Sequence, residues 1–146
     1  MAVDLFQLGV KAVVQDEQGR ILLLQISKPV VIHGSPVAYW DLPGGRVEVG
    51  QTVEQTLRRE IEEEVGLHIA GELEPLVWSV ANVRLPYDGT NTGWILIAYK
   101  CQLPPGASIR LSDEHSDYGW FTPQEAAEKL AVKYPEEFTS KIKELA

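Results

Sequence analysis

The sequence predicts a single α/β domain over residues 1–146. Short apolar runs separated by turn residues predict β-strands along most of the chain. A strong helix pattern over residues 52–65 interrupts these runs, and a second helix start follows at Thr122. Hydrophobic residues make up 45% of the chain and charged residues 23%, as in ordinary globular proteins. A chain of 146 residues is long enough to bury a substantial core.

The first elements are predicted to be strands over residues 5–15 and 20–27. The turn sequence Asp16–Gly19 joins them. The continuous apolar run Ile21–Leu24 is typical of a strand that is buried on both faces. Residues 28–38 contain two prolines and a glycine, which favours an extended hairpin or a loop before the segment that leads into Pro43-Gly44-Gly45.

The second half of the chain repeats this alternation of strands and helices. Residues 73–84 and 92–102 are predicted strands around a loop at 86–89, and residues 117–121 are a short strand candidate. Thr122-Pro123-Gln124-Glu125 combines a capping box with a proline at the first helical position. A last helix is predicted over residues 135–145.

Both ends of the central helix are marked in the sequence. Thr52 followed by Gln55 fits a capping box with Thr52 as the N-cap residue. Gly66 stands where a left-handed C-terminal cap is expected. At about 100° per residue, Val53 and Ile61 lie on one buried stripe together with Leu57.

The acidic residues of this helix are not arranged as on an ordinary solvated surface. Pairs four residues apart, Arg58–Glu62 and Arg59–Glu63, are explained by surface ion pairs. Such pairs do not explain Glu60 and Glu64, which lie within the apolar stripe or at its border. Because unpaired carboxylates there are costly to ionise, and divalent cations take carboxylate ligands, this placement favours a metal site.

The glycine pair before the helix completes the pattern. Gly44 and Gly45 permit positive φ angles and a close approach of the backbone to other groups. A glycine pair alone predicts only a loop between a strand and a helix. A role for the pair in the same site as the acidic residues comes only from the resemblance of the whole segment to a known signature.

Residues Gly45–Leu67, GRVEVGQTVEQTLRREIEEEVGL, resemble the signature of the Nudix hydrolases, G-x5-E-x7-R-E-U-x-E-E-x-G-U, where U is apolar. Gly45 takes the first position, and the C-terminal part is matched in register by Arg59, Glu60, Ile61, Glu63, Glu64, Gly66 and Leu67. One position departs, since Gln51 replaces the first glutamate. An amide keeps an acceptor oxygen but loses the charge, so we expect a weaker metal contact and surviving activity.

The resemblance implies an α/β/α sandwich with a central mixed sheet. It also implies hydrolysis, dependent on Mg²⁺ or Mn²⁺, of a nucleoside diphosphate linked to another moiety. The carbonyl of Gly44 is an expected metal ligand, and Glu60 and Glu64 can chelate one ion or share two. Glu63 can complete the site or act as the base, and the sequence leaves the base open. Arg59 is expected to hold a carboxylate more than to contact substrate.

A second acidic segment, Ser112–Asp117, precedes Trp120. Nudix proteins often carry an acid in this loop as a further metal ligand or as the general base, and Glu114 is the residue expected here. A solvated acidic loop explains the same composition equally well. His115 is expected to be a hydrogen-bonding loop residue rather than a ligand.

Substrate recognition is weakly specified by the sequence. Trp40 precedes the glycine pair and Tyr87 lies in a predicted loop, so either could stack on a nucleobase. Arg84 could contact a phosphate, although a surface arginine explains it equally well. Aromatic residues in strands are more often part of the core. The expected substrate is a nucleoside triphosphate or a related small nucleotide.

Composition and charge exclude several classes of partner. A net charge of −8 argues against nonspecific binding of nucleic acid and of anionic membranes. The single cysteine, Cys101, fits a reducing, cytoplasmic compartment, and we find no signal peptide or membrane-spanning run. A homodimer is allowed but not required. Two alternative functions are a nucleotide-binding sensor without catalysis, which the intact glutamates disfavour, and an isoprenoid diphosphate isomerase, which the short chain disfavours.

Overall fold

A computed structural model describes residues 2–26, 30–32 and 35–145. Ten strands and three helices are found in this part of the chain. The strands are β1 Phe6–Gln15, β2 Ile21–Ile26, β3 Val30–Ile32, β4 Ser35–Val37, β5 Trp40–Asp41, β6 Gly44–Arg46, β7 Glu74–Val80, β8 Leu85–Tyr87, β9 Thr90–Gln102 and β10 His115–Phe121. The helices are α1 Val53–Val65, α2 Pro123–Leu130 and α3 Glu136–Lys143.

The main sheet is mixed and runs in the order β10-β2-β1-β9-β7. Strands β1 and β9 form its parallel centre, and their register runs from Phe6 opposite Gly93 to Gln15 opposite Gln102. The other pairings in this order are antiparallel. The short strand β6 pairs with β1, β5 pairs with β2, and β8 pairs with β9. Strand β1 therefore carries the glycine segment at its side.

Each face of this sheet is covered by helix. Side chains of α1, including Leu57 and Ile61, pack on one face in a core that also contains Val10 and Leu22. Helices α2 and α3 cover the other face in a second core. The expected α/β/α sandwich with a mixed sheet, an α+β arrangement, is therefore confirmed. None of the described helices is long and apolar enough to cross a membrane.

Several local predictions are confirmed by the structure. Residues Ile21–Leu24 are fully buried, with Ile21 in one core and Leu22 in the other. Both bonds of the Thr52 capping box are present, and Gly66 ends α1 in the left-handed conformation with φ 72°. Cys101 lies in the core, where burial raises the pKa of its thiol to about 11, so it is a poor nucleophile at neutral pH.

Some element boundaries differ from the prediction. Strand β7 ends at Val80 rather than at residue 84, and part of the predicted 86–89 loop forms β8 instead. Asp88 and Gly89 alone make the tight turn to β9, with φ 48° and 74°, because positive φ at both positions matches the twist of a two-residue hairpin. Strand β10 begins at His115, two residues before the predicted start at 117.

Two further segments need comment. Gly44 and Gly45, expected in a loop between a strand and the helix, instead belong to strand β6 beside β1. In the predicted hairpin or loop at 28–38, residues 30–32 pair with 35–37 in an antiparallel hairpin. Residues 27–29 and 33–34 lie outside the described part of the chain.

Candidate active site

The glycine pair is held against the middle of strand β1. Gly44 lies opposite Lys11 and Gly45 opposite Val10 in an antiparallel register. Gly44 has φ +154°, and a Cβ atom at this position would lie 2.0 Å from the carbonyl oxygen of Val10. Only glycine fits this conformation and this close packing of two backbones.

Gly45 creates room for a carboxylate of α1. A Cβ atom on Gly45 would lie 2.5 Å from Cδ and 2.7 Å from Oε1 of Glu60. The missing side chain therefore lets Glu60 reach the backbone of β6. This contact explains in physical terms why a glycine faces Glu60, which lies about two turns into α1.

Glu64 is the most buried acidic residue of α1, with 6% of its surface exposed. Its Oε1 accepts a hydrogen bond of 2.9 Å from the backbone N–H of Gly44, and its Oε2 lies 3.3 Å from Nε2 of His115. Burial raises the pKa of Glu64 to about 8, against the lowering effects of Lys11 and of the Gly44 N–H. A buried carboxyl group with a raised pKa is costly to ionise, and a bound cation that replaces its proton offsets this cost.

Glu60 is half-buried beside Glu64. Burial raises its pKa, and the negative charges of Glu63 and Glu114 add to this effect, while Arg59 opposes it. The charges of α1 and of the segment before β10 therefore act on one another across the site. Such mutual repulsion is what a bound divalent cation relieves.

The segment before β10 brings its own ligand atoms to α1. One ligand atom each of Glu64, Glu114 and His115 lie within 4.8 Å of one another. Burial lowers the pKa of His115, which favours the neutral imidazole, the form of histidine that binds metal ions. Carboxylate oxygens suit Mg²⁺ and Mn²⁺, and a neutral imidazole suits a transition-metal ion. The residues present therefore fit a divalent metal. The Gly44 carbonyl belongs to the residue whose N–H is bonded to Glu64.

Arg59 lies at the exposed edge of this cluster. Its Nη1 is 3.2 Å from Oε2 of Glu63 and 3.3 Å from Oε1 of Glu60. Its Nη2 donates to Oε1 of Gln51 at 3.3 Å. The predicted Arg59–Glu63 pair is thus present, whereas Arg58 donates to the carbonyl oxygen of Ile69. The ion pairs expected for Arg59 within the helix are therefore present, and its role in orienting a carboxylate stays a prediction.

The three residues expected to bind substrate do not join this cluster through any contact found in the described chain. Trp40 packs edge-on against Phe121, with ring centroids 5.2 Å apart. Arg84 binds Asp4 with both terminal nitrogens, at 2.8 and 2.9 Å. Tyr87 is 64% exposed and lines an open cavity of about 730 Å³ that also borders Arg46. Substrate contacts by Trp40, Arg84 and Tyr87 stay predictions.

Sequence reasoning gave little weight to two residues of this site. His115, expected to be a hydrogen-bonding loop residue rather than a ligand, has its Nε2 3.3 Å from Oε2 of the buried Glu64 and is one of three residues whose possible ligand atoms converge. No motif in the sequence marks Lys11, although a lysine inside the apolar run of β1 is an unusual residue in a strand covered on both faces. That position was the available signal.

The model of the NUDIX domain family matches residues 5–142. The chain belongs to this family. A MutT-like protein of Streptomyces ambofaciens is 31% identical over 130 residues, which cover 89% of this chain and 73% of that protein. The nucleoside triphosphatase NudI of Salmonella newport is 35% identical over 94 residues, which are 60% of this chain and 64% of NudI. The resemblance found in the sequence is therefore confirmed as family membership.

Solved structures agree with this assignment. The crystal structure of a MutT NUDIX hydrolase from Burkholderia pseudomallei superimposes with a TM-score of 0.65 at 25% identity. The superposition covers 97% of this chain and 98% of that one. The chain is thus a Nudix hydrolase in sequence and in fold.

The Nudix position occupied by Gln51 yields a prediction. Gln51 accepts hydrogen bonds from Arg59 and from the Thr56 hydroxyl, so its amide supports Arg59 instead of the buried acids. We expect Gln51→Glu to change metal-dependent kcat/KM by less than about tenfold, because a carboxylate there mainly strengthens the bond to Arg59. Steady-state kinetics over a range of Mg²⁺ concentrations measures this effect. A gain of a hundredfold would instead make Gln51 the site of a missing metal ligand.

The raised pKa of Glu64 predicts a pH dependence of stability without metal. Between the ordinary pKa of 4.5 and the folded value of about 8, the folded chain keeps a proton that the unfolded chain has lost. The free energy of unfolding therefore falls as the pH rises through this window, by up to about 1.4 kcal/mol per pH unit, and levels off above it.

Comparison with Glu64→Gln isolates this contribution, because the other groups titrate in both proteins. We expect urea unfolding in EDTA to show the native protein losing stability relative to the variant from pH 6.5 to 8, with a constant difference above about pH 8.5. A difference that does not change with pH would show that Glu64 ionises normally in the fold.

Proposed function

We propose that this Nudix hydrolase cleaves a diphosphate linkage in a nucleoside diphosphate derivative, with a nucleoside triphosphate or related small nucleotide as substrate and Mg²⁺ or Mn²⁺ as cofactor. The observation that carries the proposal is the convergence of acids from two separate elements. Glu60 and Glu64 of α1 meet Glu114 from the segment before β10, next to the glycine strand β6. Neither a stabilising role nor solubility accounts for acids gathered in a partly buried place.

In the proposed reaction, water attacks one phosphorus of the diphosphate. A new P–O bond forms, the bridging P–O bond breaks, and the proton of the water passes to a carboxylate. When bound, the metal neutralises phosphate charge and makes the water more acidic. Glu60, Glu63, Glu64, Glu114 and the Gly44 carbonyl are the proposed ligands. Among these acids, Glu63 and Glu114 are exposed and suit the proton acceptor, whereas Glu64 is held by Gly44 and His115.

One fact supports a nucleotide as the substrate: the relative NudI is named a nucleoside triphosphatase. The net charge of −8 supports the metal instead, because a polyphosphate needs bound cations and local basic groups to approach a negatively charged chain. Arg59 and Arg46 are basic residues near the glycine strand, and Arg46 is hydrogen-bonded to Gln7 at the edge of the open cavity beside Tyr87.

A product-resolved substrate screen tests the proposal. Nucleoside triphosphates, dinucleoside polyphosphates and nucleotide sugars are incubated with Mg²⁺ or Mn²⁺, and the products are separated by ion-exchange chromatography. We expect a nucleoside monophosphate together with the released phosphate-containing group, and no product in EDTA. Glu62→Gln, on the exposed face of α1, is the matched control for Glu60→Gln. Failure to cleave any compound with either metal would contradict hydrolysis.

The same screen separates the two alternatives. A sensor would be stabilised against heat by a nucleotide that it leaves intact. An isoprenoid diphosphate isomerase would convert isopentenyl diphosphate without releasing phosphate. A cytoplasmic location and a homodimer are further proposals, of which the first rests on the buried free thiol of Cys101 and the second is tested by sedimentation velocity.

A further inference from the structure

A buried charge cluster lies behind the glycine strand, and the proposed chemistry does not use it. It consists of Lys11, Asp41, Lys133 and Tyr134, each less than a tenth exposed. Oδ2 of Asp41 accepts from Nζ of Lys11 at 3.1 Å and from Nζ of Lys133 at 2.5 Å. Oδ1 accepts from the Tyr134 hydroxyl at 2.5 Å and from the backbone N–H of Leu42 at 2.7 Å.

The two lysines of this cluster differ in what else they touch. Lys133 lies over the ring of Trp94, with Nζ 3.6 Å from the ring centroid. Lys11 donates a second hydrogen bond, of 3.3 Å, to the carbonyl oxygen of Leu42. Both the N–H and the C=O of Leu42 are therefore hydrogen-bonded to the cluster. Asp41 accepts from the N–H, and Lys11 donates to the C=O.

Backbone bonds continue from Leu42 to the acids of α1. The Pro43 carbonyl accepts from the Ala12 N–H at 2.8 Å, and the Gly44 N–H donates to Glu64 at 2.9 Å. The aliphatic chain of Lys11 also packs against Gly44, since a Cβ atom there would lie 2.9 Å from its Cδ. Hydrogen bonds thus hold the backbone of each residue from 42 to 44, and Gly44 is bonded to Glu64, a proposed metal ligand.

Stability alone is a poor explanation for this cluster. Two lysine side chains and one carboxylate are removed from water together, and such buried ion pairs often stabilise a fold no more than apolar residues of the same size. Their value lies in fixing one geometry. A fixed geometry is useful at a site where the direction of a backbone carbonyl decides how a cation is held.

We propose that Lys11 is a positioning residue of this enzyme: by binding Asp41 and the Leu42 carbonyl, it holds the Gly44 segment in the orientation in which its carbonyl and Glu64 bind the metal. The proposal rests on the metal site of the proposed function. It assigns no direct contact of Lys11 with the metal or with the substrate.

A purely electrostatic role of Lys11 and a positioning role predict opposite changes in cation affinity when Lys11 is replaced, so the test separates them. Removing a positive charge near a cation site strengthens cation binding if only the electric field matters. Loss of positioning weakens it. Lys11→Met removes the charge and the bond to Leu42, whereas Lys133→Met removes a neighbouring lysine of the same carboxylate without touching Leu42. Both variants replace a lysine that donates to Asp41 by methionine, and they differ in the bond to Leu42.

Mn²⁺ binding is measured from the electron paramagnetic resonance signal of the free ion at pH 8.5 under argon. We expect Lys11→Met to bind Mn²⁺ about tenfold more weakly than the native protein, as is typical when an orienting partner of a ligand is lost. We expect Lys133→Met to stay within about twofold. Unchanged or tighter binding by Lys11→Met overturns the proposal, and so does equal weakening by both variants.

Hydrogen exchange gives a second measurement that does not depend on metal. In EDTA, Lys11→Met should speed exchange of the Gly44 amide by about tenfold, while the Ile61 amide in α1 keeps its native rate relative to global unfolding. Lys133→Met should leave both unchanged relative to global unfolding. If a methionine variant fails to fold, Lys11→Leu, which also lacks a donor, and Tyr134→Phe replace the pair. Native Mn²⁺ binding without turnover would defeat the proposed function but leave these comparisons valid.

Discussion

Replacing Glu64 by glutamine is expected to lower kcat/KM by about 10²- to 10⁴-fold with little loss of fold stability. The amide keeps the hydrogen bond that the Gly44 N–H donates to Oε1. It removes the charge that a divalent cation needs, in a place where only 6% of the residue is exposed and water cannot substitute easily. Steady-state kinetics at saturating Mg²⁺, with circular dichroism as the check on folding, measures the effect.

Glu62→Gln is the control for this substitution. Glu62 lies on the same helix, but its side chain is 67% exposed and points away from β6. We expect its variant to keep native activity within about twofold, since exposed charges contribute little. Equal losses in both variants would show that the negative charge of the helix as a whole matters. Native activity in Glu64→Gln would remove Glu64 from the chemistry.

Gly44→Ala is expected to be the most destabilising single substitution considered for this site, by about 3 to 5 kcal/mol. The added Cβ atom meets the Val10 carbonyl oxygen at 2.0 Å and the Cα atom of Lys11 at 2.9 Å. Both are backbone atoms of the central strand β1, so the clash cannot be relieved by rotating a side chain. Urea unfolding monitored by tryptophan fluorescence measures the loss.

Gly50→Ala is the control that measures the cost of a positive φ angle without the steric clash that Gly44→Ala also introduces. Gly50 has φ +84°, but no atom lies within 4 Å of the Cβ that alanine would add. Its variant should lose only about 1 kcal/mol, the cost of a positive φ angle for a residue with a side chain. Similar losses for Gly44→Ala and Gly50→Ala would mean that β6 can move away from β1.

Features that depend on neighbouring residues were predictable from the sequence. The boundaries of α1 follow from Thr52, Gln55 and Gly66, because capping chemistry acts over three or four residues. The burial of Ile21–Leu24 follows from a continuous apolar run. The site on α1 was predictable for the same reason, since the helix repeat alone brings Glu60 and Glu64 to one face.

Features that depend on distant partners were not predictable in this way. Residues 44–46 become a strand because β1 lies beside them, and glycine has no strand preference of its own. Lys11 and Lys133 meet on Asp41 across separations of 30 and 92 residues. No periodicity or motif in one sequence joins residues so far apart. The pairing of His115 with Glu64 arises likewise from the addition of β10 at the edge of the sheet.

Direct metal binding tests the central claim, that these acids gather to hold a divalent cation. Mn²⁺ is titrated into the native protein and into Glu60→Gln, Glu64→Gln, Glu114→Gln and Glu62→Gln, and the free ion is quantified by electron paramagnetic resonance. We expect binding that is weakened at least about tenfold by the first three substitutions and unchanged by the fourth. Mn²⁺ affinity that is the same in the native protein and in all four variants, or no Mn²⁺ binding by the native protein, would contradict the claim that these acids hold a divalent cation.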